Sequence, residues 1–539
     1  MDFKLIKDPL YGYVKIREDY VHKIIDTAVF QRLRRIVQTS YSPLFPSSEH
    51  NRFAHSIGVF HLGGIAAETL LSEFCGDDDE KRKKLDKVRD VFLLSCLLHD
   101  VGHAPFSHTG EQFFPPGEEL NKTLMGFVKS DKFEKDIVKI AAKHEIMSAI
   151  VGIKYFGKDF LTEPFYIEFF ARCITGYTYS NKETDYGLYN CFISLLKSEV
   201  IDVDRLDYLL RDAFFTGFDT TIIDYRRLLT HITFCIPEGS DTYEIGYYKG
   251  ALSVIENFVY AHDSERKWIQ NHPCVQYEAY LIHRIIMQLD DKLSGIDKKL
   301  FSLESIGLEW QKMKNGDCIS LLCDDDIISY MKRLCDDPLS AEYFSREKRR
   351  RALWKTEAEY IAYRPVDAGD LLKKFNECLT ETAKYLRNTS AEGFINDDSI
   401  DKLSKETELI EQLKFSDNIN TKVADDSRKA LLETHKLTLK TMKWLSDCSK
   451  KKGGRCDFVI LAGNPFLSGF NKKDFSNINI VFGKSDGKKV EKFTNVVSTL
   501  KGGDKPNSDN KIFHIYCERF SKEKFDVKEF ISDLLRTLL

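Results

Sequence analysis

The sequence contains no apolar segment long enough to cross a lipid bilayer. Its longest apolar run, VFLLSCLL at residues 91–98, is far shorter than the roughly 20 residues that a membrane-spanning helix needs. The N-terminus MDFKLIKDPLYGY lacks the continuous apolar stretch of a secretory signal. The 13 cysteines include no CxxC pair, which fits reduced thiols better than a disulfide framework. We therefore expect a cytoplasmic protein that does not insert into membranes.

The sequence also lacks a charge excess and the common motifs of nucleotide chemistry. Its 79 Lys and Arg residues nearly balance 83 Asp and Glu residues, for a net charge of −4. This balance disfavours a general nucleic-acid coat and leaves nucleic-acid contact to local basic clusters. No GxxxxGK(S/T), GxGxxG after a strand, GxSxG or HExxH string is present. Hydrolysis by metal-activated water is the chemistry that remains.

The order of periodic segments predicts a mainly α fold with a small C-terminal α+β lobe. Residues 3–17 resemble a hairpin, 22–38 have helical spacing, and mostly helical patterns continue to about residue 300. Long polar helices are expected over 367–449, followed by the strands DFVILAG, NINIVFG and KIFHIYCE and a closing helix. A chain of 539 residues exceeds one typical core. We predict three domains, at 1–355 (the core with an N-terminal regulatory segment), 356–455 (a helical insertion) and 456–539 (the lobe).

Histidines concentrate where the chemistry is expected. Six of the 14 histidines fall within ninety residues, at positions 55, 61, 99, 103, 108 and 144. In LLHDVGHAPFSH an apolar helix ends at His99 and Asp100, and the tight GHAP turn would return His103 and His108 to the same place. A capped helix followed by a polar loop explains the turn residues, but it does not explain the His-Asp pair with two further histidines.

A second string, SEVIDVDRLDYLLRDAFFTG, adds carboxylates to the predicted site. Asp204, Tyr208 and Asp212 recur at i, i+4 and i+8 and share one helix face. Taken alone, this face would be solvated, with i, i+4 partners such as Asp207 and Arg211. Imidazole together with carboxylate suits Mn, Fe, Zn, Co or Ni, whereas Mg prefers oxygen ligands, and the identity of the divalent metal stays open.

The order H…HD…D, in RFAHS, LLHDVGH and DVDRLDY, resembles the HD-domain phosphohydrolases. FQRLRRIVQ, FPSSEHNRFAHSIGV, LLHDVGHAPFSH and IDVDRLDYLLRD are more specifically similar to the deoxynucleoside triphosphate (dNTP) triphosphohydrolases among them. The similarity extends to the C-terminal lobe but not to about 360–450. No SAM domain, which animal members carry, is expected before this core. The resemblance implies an HD-domain helical core and an enzyme that cleaves a dNTP to deoxynucleoside and triphosphate.

Site residues follow from the resemblance position by position. The implied metal ligands are His55, His99, Asp100 and Asp204. The implied catalytic residues are His103, His108, Glu111 and His144. The implied substrate contacts are Gln38, Arg52, Tyr208 and Asp212.

The resemblance also implies regulation. An activating guanine nucleotide or dNTP would bind between subunits of a homo-oligomer, a dimer or a tetramer. Its contacts would be Lys4, Asp26, Gln31, Arg34, Arg351 and Lys355. The basic string around the last two would otherwise be a solvated helix face. A role in defence against phage or virus is an inference from the family.

Departures from the family pattern leave two other functions open. Thr39 stands where the family has a leucine, Arg205 replaces a lysine, and 262–273 lacks a clean match, so base preference is not implied. One alternative is another HD-type nucleotide phosphohydrolase or phosphodiesterase. The other is a nucleotide-sensing or nucleic-acid-binding scaffold with a vestigial site.

Overall fold

The computed structural model describes most of the chain. The described residues are 2–181, 183–218, 222–294, 300–334, 338–347, 349–363, 369–388, 393–412, 422–451, 458–463, 477–483, 489–497, 512–518 and 526–538. None of the described helices combines the length and the low polarity that are needed to span a bilayer.

Helices dominate the described chain, which confirms the predicted mainly α fold. The α-helices are α1 (Glu18–Tyr20), α2 (Ala28–Gln31), α3 (Arg52–Cys75), α4 (Asp79–Leu98), α5 (His108–Glu111), α6 (Gly117–Val128), α7 (Asp131–Asp136), α8 (Lys143–Phe160), α9 (Pro164–Thr175), α10 (Thr184–Leu196), α11 (Val203–Thr216), α12 (Tyr225–Leu229), α13 (Leu252–Glu265), α14 (Pro273–Leu293), α15 (Leu303–Ile306), α16 (Asp324–Leu334), α17 (Pro338–Phe344), α18 (Glu357–Tyr363), α19 (Gly369–Asn388), α20 (Asp397–Gln412), α21 (Lys422–Lys451), α22 (Phe493–Val496) and α23 (Val527–Leu538). The helical spacing at 22–38 is not one helix, because a π-helical turn, α2 and a 3-10 turn follow one another there.

The strands of the described residues form four small sheets. They are β1 (Phe3–Asp8), β2 (Gly12–Arg17), β3 (Ile232–Cys235), β4 (Glu244–Tyr248), β5 (Gln311–Lys312), β6 (Cys318–Ile319), β7 (Arg350–Ala352), β8 (Val459–Gly463), β9 (Asn479–Phe482), β10 (Lys489–Lys492) and β11 (Ile512–Glu518). The sheet orders are β1-β2, β10-β9-β4-β3, β7-β11-β8 and β5-β6, and β4-β9 is the parallel pair. The N-terminal hairpin, the three predicted C-terminal strands and the closing helix are all present.

The chain divides into two compact units that do not follow the predicted domain boundaries. The first unit comprises 1–266, 288–333 and 467–504, and the second comprises 267–287, 334–466 and 505–539. Residues 456–539, predicted as one lobe, are shared between the units. The reason is strand pairing, because β9 and β10 join β3 and β4, while β8 and β11 join β7.

Five helices of the first unit carry most of the predicted site. Helix α3 packs against α4 and α11, and α8 packs against α4 and α5. The inner faces are apolar: Ile57, Val59, Leu97, Leu98 and Ile150 are at most 2% exposed. These helices are therefore fixed by a packed core, and side chains at their ends are held in defined positions.

Candidate active site

The four predicted metal ligands lie at helix ends. His55 is in the first turn of α3, His99 and Asp100 directly follow α4, and Asp204 is in the first turn of α11. Helix α11 begins where it does because the Asp202 carboxylate caps it, accepting from the Arg205 amide at 2.7 Å. Side chains that are far apart in sequence are thereby brought to one point.

Ligand atoms of these four side chains converge. His55 Nε2 lies 3.1 Å from Asp204 Oδ1 and 3.2 Å from His99 Nε2. Asp100 Oδ2 lies 3.7 Å from His55 Nε2, and Asp100 Oδ1 lies 3.6 Å from His99 Nε2. Atoms bound to one metal at about 2.1 Å are separated from their neighbours by roughly 3.0–3.5 Å. The spacing therefore suits a shared cation.

The chemistry of this donor set also fits a divalent metal. Burial opposes ionisation of both carboxyl groups. Even so, Arg52 and the nearby imidazoles hold the pKa of Asp100 well below its usual range. His55 and His99 do the same for the pKa of Asp204. Burial lowers the pKa of His55, but Asp204 and Asp207 outweigh this effect and raise it to about 9. Asp100 is buried and 22% of the Asp204 side chain is exposed, and two such carboxylates that stay ionised beside imidazoles form a site that a cation would neutralise.

An outer shell of side chains orients His55. Its Nδ1 donates to Asp207 Oδ2 at 2.7 Å, which leaves Nε2 free to bind a metal. Asp207 also accepts from Arg211 Nε at 2.8 Å and from the Tyr11 hydroxyl at 2.7 Å. The hypothesis that Asp207 and Arg211 form a solvated pair is wrong, since both side chains are fully buried. Asp207 therefore fixes His55 through Nδ1, and Arg211 in turn fixes Asp207.

His99 has its own orienting contact, and a glycine makes room for the outer shell. His99 Nδ1 lies 2.9 Å from the carbonyl oxygen of Cys96, so its Nε2 also faces the other ligands. A Cβ atom at Gly58 would lie only 1.8 Å from Asp207 Oδ1. The glycine in α3 therefore permits the close approach of α11 and its buried carboxylate.

Three further histidines form a second cluster beside Glu111. The ring centroids of His103, His108 and His144 are 4.7–5.2 Å apart. Glu111 Oε2 accepts from His108 Nδ1 at 3.0 Å and lies 3.0 Å from His144 Nδ1. Burial, and then the charge of Arg52, lower the pKa of His103 and keep its ring neutral. The predicted return of the GHAP turn to the site is observed.

The turn that carries this cluster is strained and tightly held. Phe106 and Ser107 have φ angles of 54° and 55°, in the left-handed region that non-glycine residues rarely adopt. The Phe106 amide donates to Asp324 Oδ1 at 2.6 Å, and Arg32 Nε and Nη1 donate to carbonyl oxygens of Leu322 and Val101. Strain of this kind persists where surrounding contacts fix the backbone, and it is frequent at functional sites.

The residues predicted to contact substrate lie around these two clusters. Arg52 Nη1 donates to Asp100 Oδ2 at 2.7 Å, Nε donates to Ser107, and Nη2 donates to the Gln38 carbonyl at 3.2 Å. Tyr208 shares helix α11 with Asp204, and burial raises the pKa of its hydroxyl. Asp212 is 1% exposed and lies 2.7 Å from His50 Nε2. A substrate contact by Asp212 would need that pairing to open.

The predicted activator residues fall on both units. In the first unit Arg34 Nε donates to Gln31 Oε1 at 2.9 Å, and Asp26 Oδ2 lies 3.7 Å from His22 Nδ1. Lys4 is an exposed residue of β1 in the same unit. Arg351, in β7, and Lys355 are exposed residues of the second unit. Activation by a nucleotide stays a prediction.

Sequence reasoning missed several site residues. Lys197 forms an ion pair with Glu145, and its Nζ also lies 3.9 Å from Asp204 Oδ2. Burial lowers the pKa of Lys197, but Glu145 and Asp204 outweigh this effect and raise it, so the ammonium stays charged. Lys197 and Glu145 lie outside the strings that carry the family resemblance. His50 and Asp207 lie within those strings, and Asp207 also follows the candidate ligand Asp204 by about one helical turn.

Comparisons with known proteins agree with this geometry. Residues 52–212 match the HD domain. The chain is 31% identical over 239 residues to deoxynucleoside triphosphate triphosphohydrolase SAMHD1 of Gallus gallus, covering 43% of this chain and 37% of that protein. It is 31% identical over 237 residues to uncharacterized protein YwfO of Bacillus subtilis, covering 42% and 43%. Uncharacterized protein MG461 of Mycoplasma genitalium is 29% identical over 265 residues, covering 48% and 54%.

A solved structure shows the same fold over a longer range. A hypothetical protein from Aquifex aeolicus superposes with a TM-score of 0.53 at 20% sequence identity, covering 98% of this chain and 99% of that chain. The chain spans about half the length of these curated relatives. The chain thus contains a segment, residues 52–212, that matches the HD domain, and it is similar in sequence to deoxynucleoside triphosphate triphosphohydrolases.

Proposed function

We propose that the protein is a metal-dependent phosphohydrolase that converts a dNTP to a deoxynucleoside and triphosphate. The observation that carries this proposal is the convergence of His55, His99, Asp100 and Asp204, whose neighbouring ligand atoms are 3.1–3.7 Å apart. The choice of dNTP as substrate rests on the sequence similarity to the deoxynucleoside triphosphate triphosphohydrolases SAMHD1.

His55, His99, Asp100 and Asp204 would hold one divalent metal ion. When bound, such an ion supplies Lewis-acid charge and lowers the pKa of water from ~15.7 to about 7. Nitrogen and carboxylate donors together favour Mn, Fe, Co, Ni or Zn over Mg. Asp207 would act through His55, as a positioning residue that keeps Nε2 available.

The proposed reaction breaks one bond of the substrate. The oxygen of water bonds to the α-phosphorus and releases a proton to solvent, the bond from that phosphorus to O5′ breaks, and O5′ takes up a proton from the protein. His108 is the proposed acid. Glu111 accepts from its Nδ1, and the ring transfers a proton from Nε2 in its imidazolium form, which it reaches by taking up a second proton from solvent. The ring is 68% exposed, so solvent can restore the proton after each turnover.

Arg52 and His103 are the proposed phosphate contacts. Three of the five guanidinium N–H donors of Arg52 bind Ser107, Asp100 and the Gln38 carbonyl, so two N–H donors remain for phosphate oxygens. Because the guanidinium is already fixed by the protein, little reorganisation is needed when charge develops on the phosphates. His103 adds a neutral ring from the neighbouring turn.

Product analysis tests the proposed function. Purified protein is incubated with each dNTP and with Mn²⁺, Mg²⁺, Co²⁺ or Zn²⁺, and the products are separated by anion-exchange chromatography. We expect deoxynucleoside and tripolyphosphate in equal amounts, and no turnover by Asp204→Asn. Nucleoside monophosphate or orthophosphate as the first product would instead indicate another HD-type phosphohydrolase or phosphodiesterase. Nucleotide binding without turnover under every condition would indicate a scaffold.

Regulation by a second nucleotide is part of the proposal. Asp26, Gln31 and Arg34 lie within one short segment of the first unit, and Arg34 and Gln31 already bond to each other. A carboxylate and a guanidinium can bind a guanine edge and a phosphate. Adding GTP or a second dNTP should raise turnover and shift the protein to a larger oligomer in sedimentation experiments. An Arg34→Ala variant should lose that response while keeping the basal rate.

A further inference from the structure

Asp324 is the first residue of α16, and its side chain contacts two segments that border the active site. It is 5% exposed, and each of its carboxylate oxygens accepts from one backbone amide. Oδ1 accepts from Phe106 at 2.6 Å, in the turn after α4, and Oδ2 accepts from Val37 at 2.8 Å, in the segment before α3. All three residues belong to the first unit. One buried side chain therefore joins these two segments.

Arg32 holds the same turn at another point and is the cation that faces Asp324. Its Nη2 donates to the His103 carbonyl, and its Nε donates to the Leu322 carbonyl at 2.6 Å. Burial raises the pKa of Asp324 to about 7, and Asp325 also raises it, although the two amide bonds and Arg32 lower it. The carboxylate is therefore ionised at about pH 8, and hydrogen bonds from amides to an ionised carboxylate are stronger than those between neutral groups.

The two segments that Asp324 joins also carry two partners of the Arg52 guanidinium. Ser107 accepts from Arg52 Nε at 2.9 Å and donates to the Val37 carbonyl. The Gln38 carbonyl accepts from Arg52 Nη2 at 3.2 Å. Each of these partners directly follows a residue whose amide is bound by Asp324. The position of the guanidinium therefore depends on the two segments staying in place.

The turn after α4 needs such a contact because its backbone is strained. Phe106 and Ser107 have φ angles of 54° and 55°, which non-glycine residues keep only where their surroundings fix them. If the Phe106 amide loses its carboxylate partner, the turn is expected to relax and Ser107 to shift. Arg52 would keep its contact to Asp100 through Nη1, so its guanidinium would pivot about that contact.

We infer that Asp324 is a positioning residue for phosphate binding. It fixes Ser107 and the Gln38 carbonyl, and it thereby directs the N–H donors of Arg52 that remain for phosphate oxygens, without touching the substrate itself. The inference rests on the proposed role of Arg52 as a phosphate contact. A carboxylate is required, because asparagine offers a single acceptor oxygen and would turn its NH2 group toward the second backbone amide.

Asp324→Asn tests this inference, and Asp325→Asn is its matched control. Asp325 is the next residue of α16 and pairs with Arg35 at the surface, with a side chain that is 61% exposed. Full-length protein is studied at about pH 8 in EDTA. Amide hydrogen exchange with mass spectrometry reports on peptides covering residues 36–40 and 101–109, and equilibrium dialysis measures the binding of inorganic tripolyphosphate.

We expect Asp324→Asn to raise exchange in these two peptides, while peptides from the helices of the first unit stay protected. Its affinity for tripolyphosphate should fall about tenfold, the effect of losing one hydrogen bond to a charged group. Asp325→Asn should match the wild type in both measurements. A merely structural role of Asp324 would instead leave the tripolyphosphate affinity of the folded protein unchanged.

Equal exchange or equal tripolyphosphate affinity in Asp324→Asn and the wild type would overturn the inference, as would a wild type that binds no tripolyphosphate. If Asp324→Asn does not fold, Ser107→Ala decides, because it removes the hydroxyl that links the turn to Arg52. This variant should show the same loss of affinity, and unchanged binding would overturn the inference. If dNTP is not hydrolysed while tripolyphosphate affinity still depends on Asp324, the inference stands and the proposed reaction fails.

Discussion

Substitution of Gly58 by alanine should weaken metal binding at the proposed site without changing any of its four proposed ligands. The added Cβ would lie 1.8 Å from Asp207 Oδ1 and 2.4 Å from Arg211 Nη2. Asp207 would have to move by about 1.2 Å to restore a separation of 3.0 Å, and such a shift breaks the 2.7 Å contact with His55 Nδ1. His55 would then lose the contact that fixes its ring.

The expected losses of stability and of metal affinity follow from the contacts of Asp207. Disrupting a buried ion pair costs about 3–5 kcal/mol, whereas Gly→Ala inside a helix stabilises by up to about 1 kcal/mol. We therefore expect Gly58→Ala to lower the free energy of unfolding by about 2–4 kcal/mol. Loss of an outer-shell partner typically weakens metal binding by about 10–100-fold, and we expect a similar loss for Mn²⁺ or Co²⁺.

Gly64→Ala in the same helix is the matched control. The nearest atom to a Cβ there is Leu93 Cδ2 at 4.0 Å, an ordinary van der Waals distance, so stability should stay equal or rise slightly. Urea unfolding and isothermal titration with Co²⁺ measure both variants. If Gly58→Ala matched Gly64→Ala in stability and in metal affinity, Asp207 would not be the residue that positions His55 for metal binding.

Three further predictions concern single side chains. Tyr11→Phe removes a 2.7 Å hydrogen bond to Asp207 but leaves Arg211 in place, so urea unfolding should show a loss of about 0.5–1.5 kcal/mol, and a loss above 3 kcal/mol would contradict this. His108→Ala should slow dNTP turnover by ~10²–10⁴ with an unchanged melting temperature, and a rate within threefold of wild type would exclude it as the acid. Burial, and then His272, lower the pKa of His514 to about 4, below the unfolded value of ~6.5. Its contribution to stability is therefore complete above pH 6.5 and is lost as the pH falls toward 4, by about 3 kcal/mol in all. His514→Gln should show a correspondingly smaller loss of stability between pH 7 and pH 4, and curves that stay parallel in urea unfolding would contradict the assignment.

Local sequence patterns predicted most of the elements, and the family resemblance supplied the proposed ligands His55, His99, Asp100 and Asp204. Alternation around the turn DPLYG predicted the hairpin of β1 and β2, and apolar spacing predicted α3, α4 and α11. The tight turn after Asp100 correctly placed His103 beside His108. These features depend on interactions between residues close in sequence, which periodicity and turn residues report directly.

Long-range pairing could not be predicted from such patterns. The parallel contact of β4 with β9 joins segments more than two hundred residues apart, and it divides the expected C-terminal lobe between two units. Burial of Asp207 and Arg211 was also missed, because an i, i+4 acidic-basic pair in sequence usually indicates a solvent-exposed face. Only the packing of α11 on α3, with Gly58 between them, shows that this pair is internal.

The central claim is that the HD site directs water to the α-phosphorus of a dNTP. Hydrolysis in H2¹⁸O with Mn²⁺, followed by mass spectrometry of both products, tests it directly. The account predicts one ¹⁸O atom in the released triphosphate and none in the deoxynucleoside, with no labelled product from Asp204→Asn. Label in the 5′-hydroxyl, or labelled orthophosphate as the first product, would contradict it.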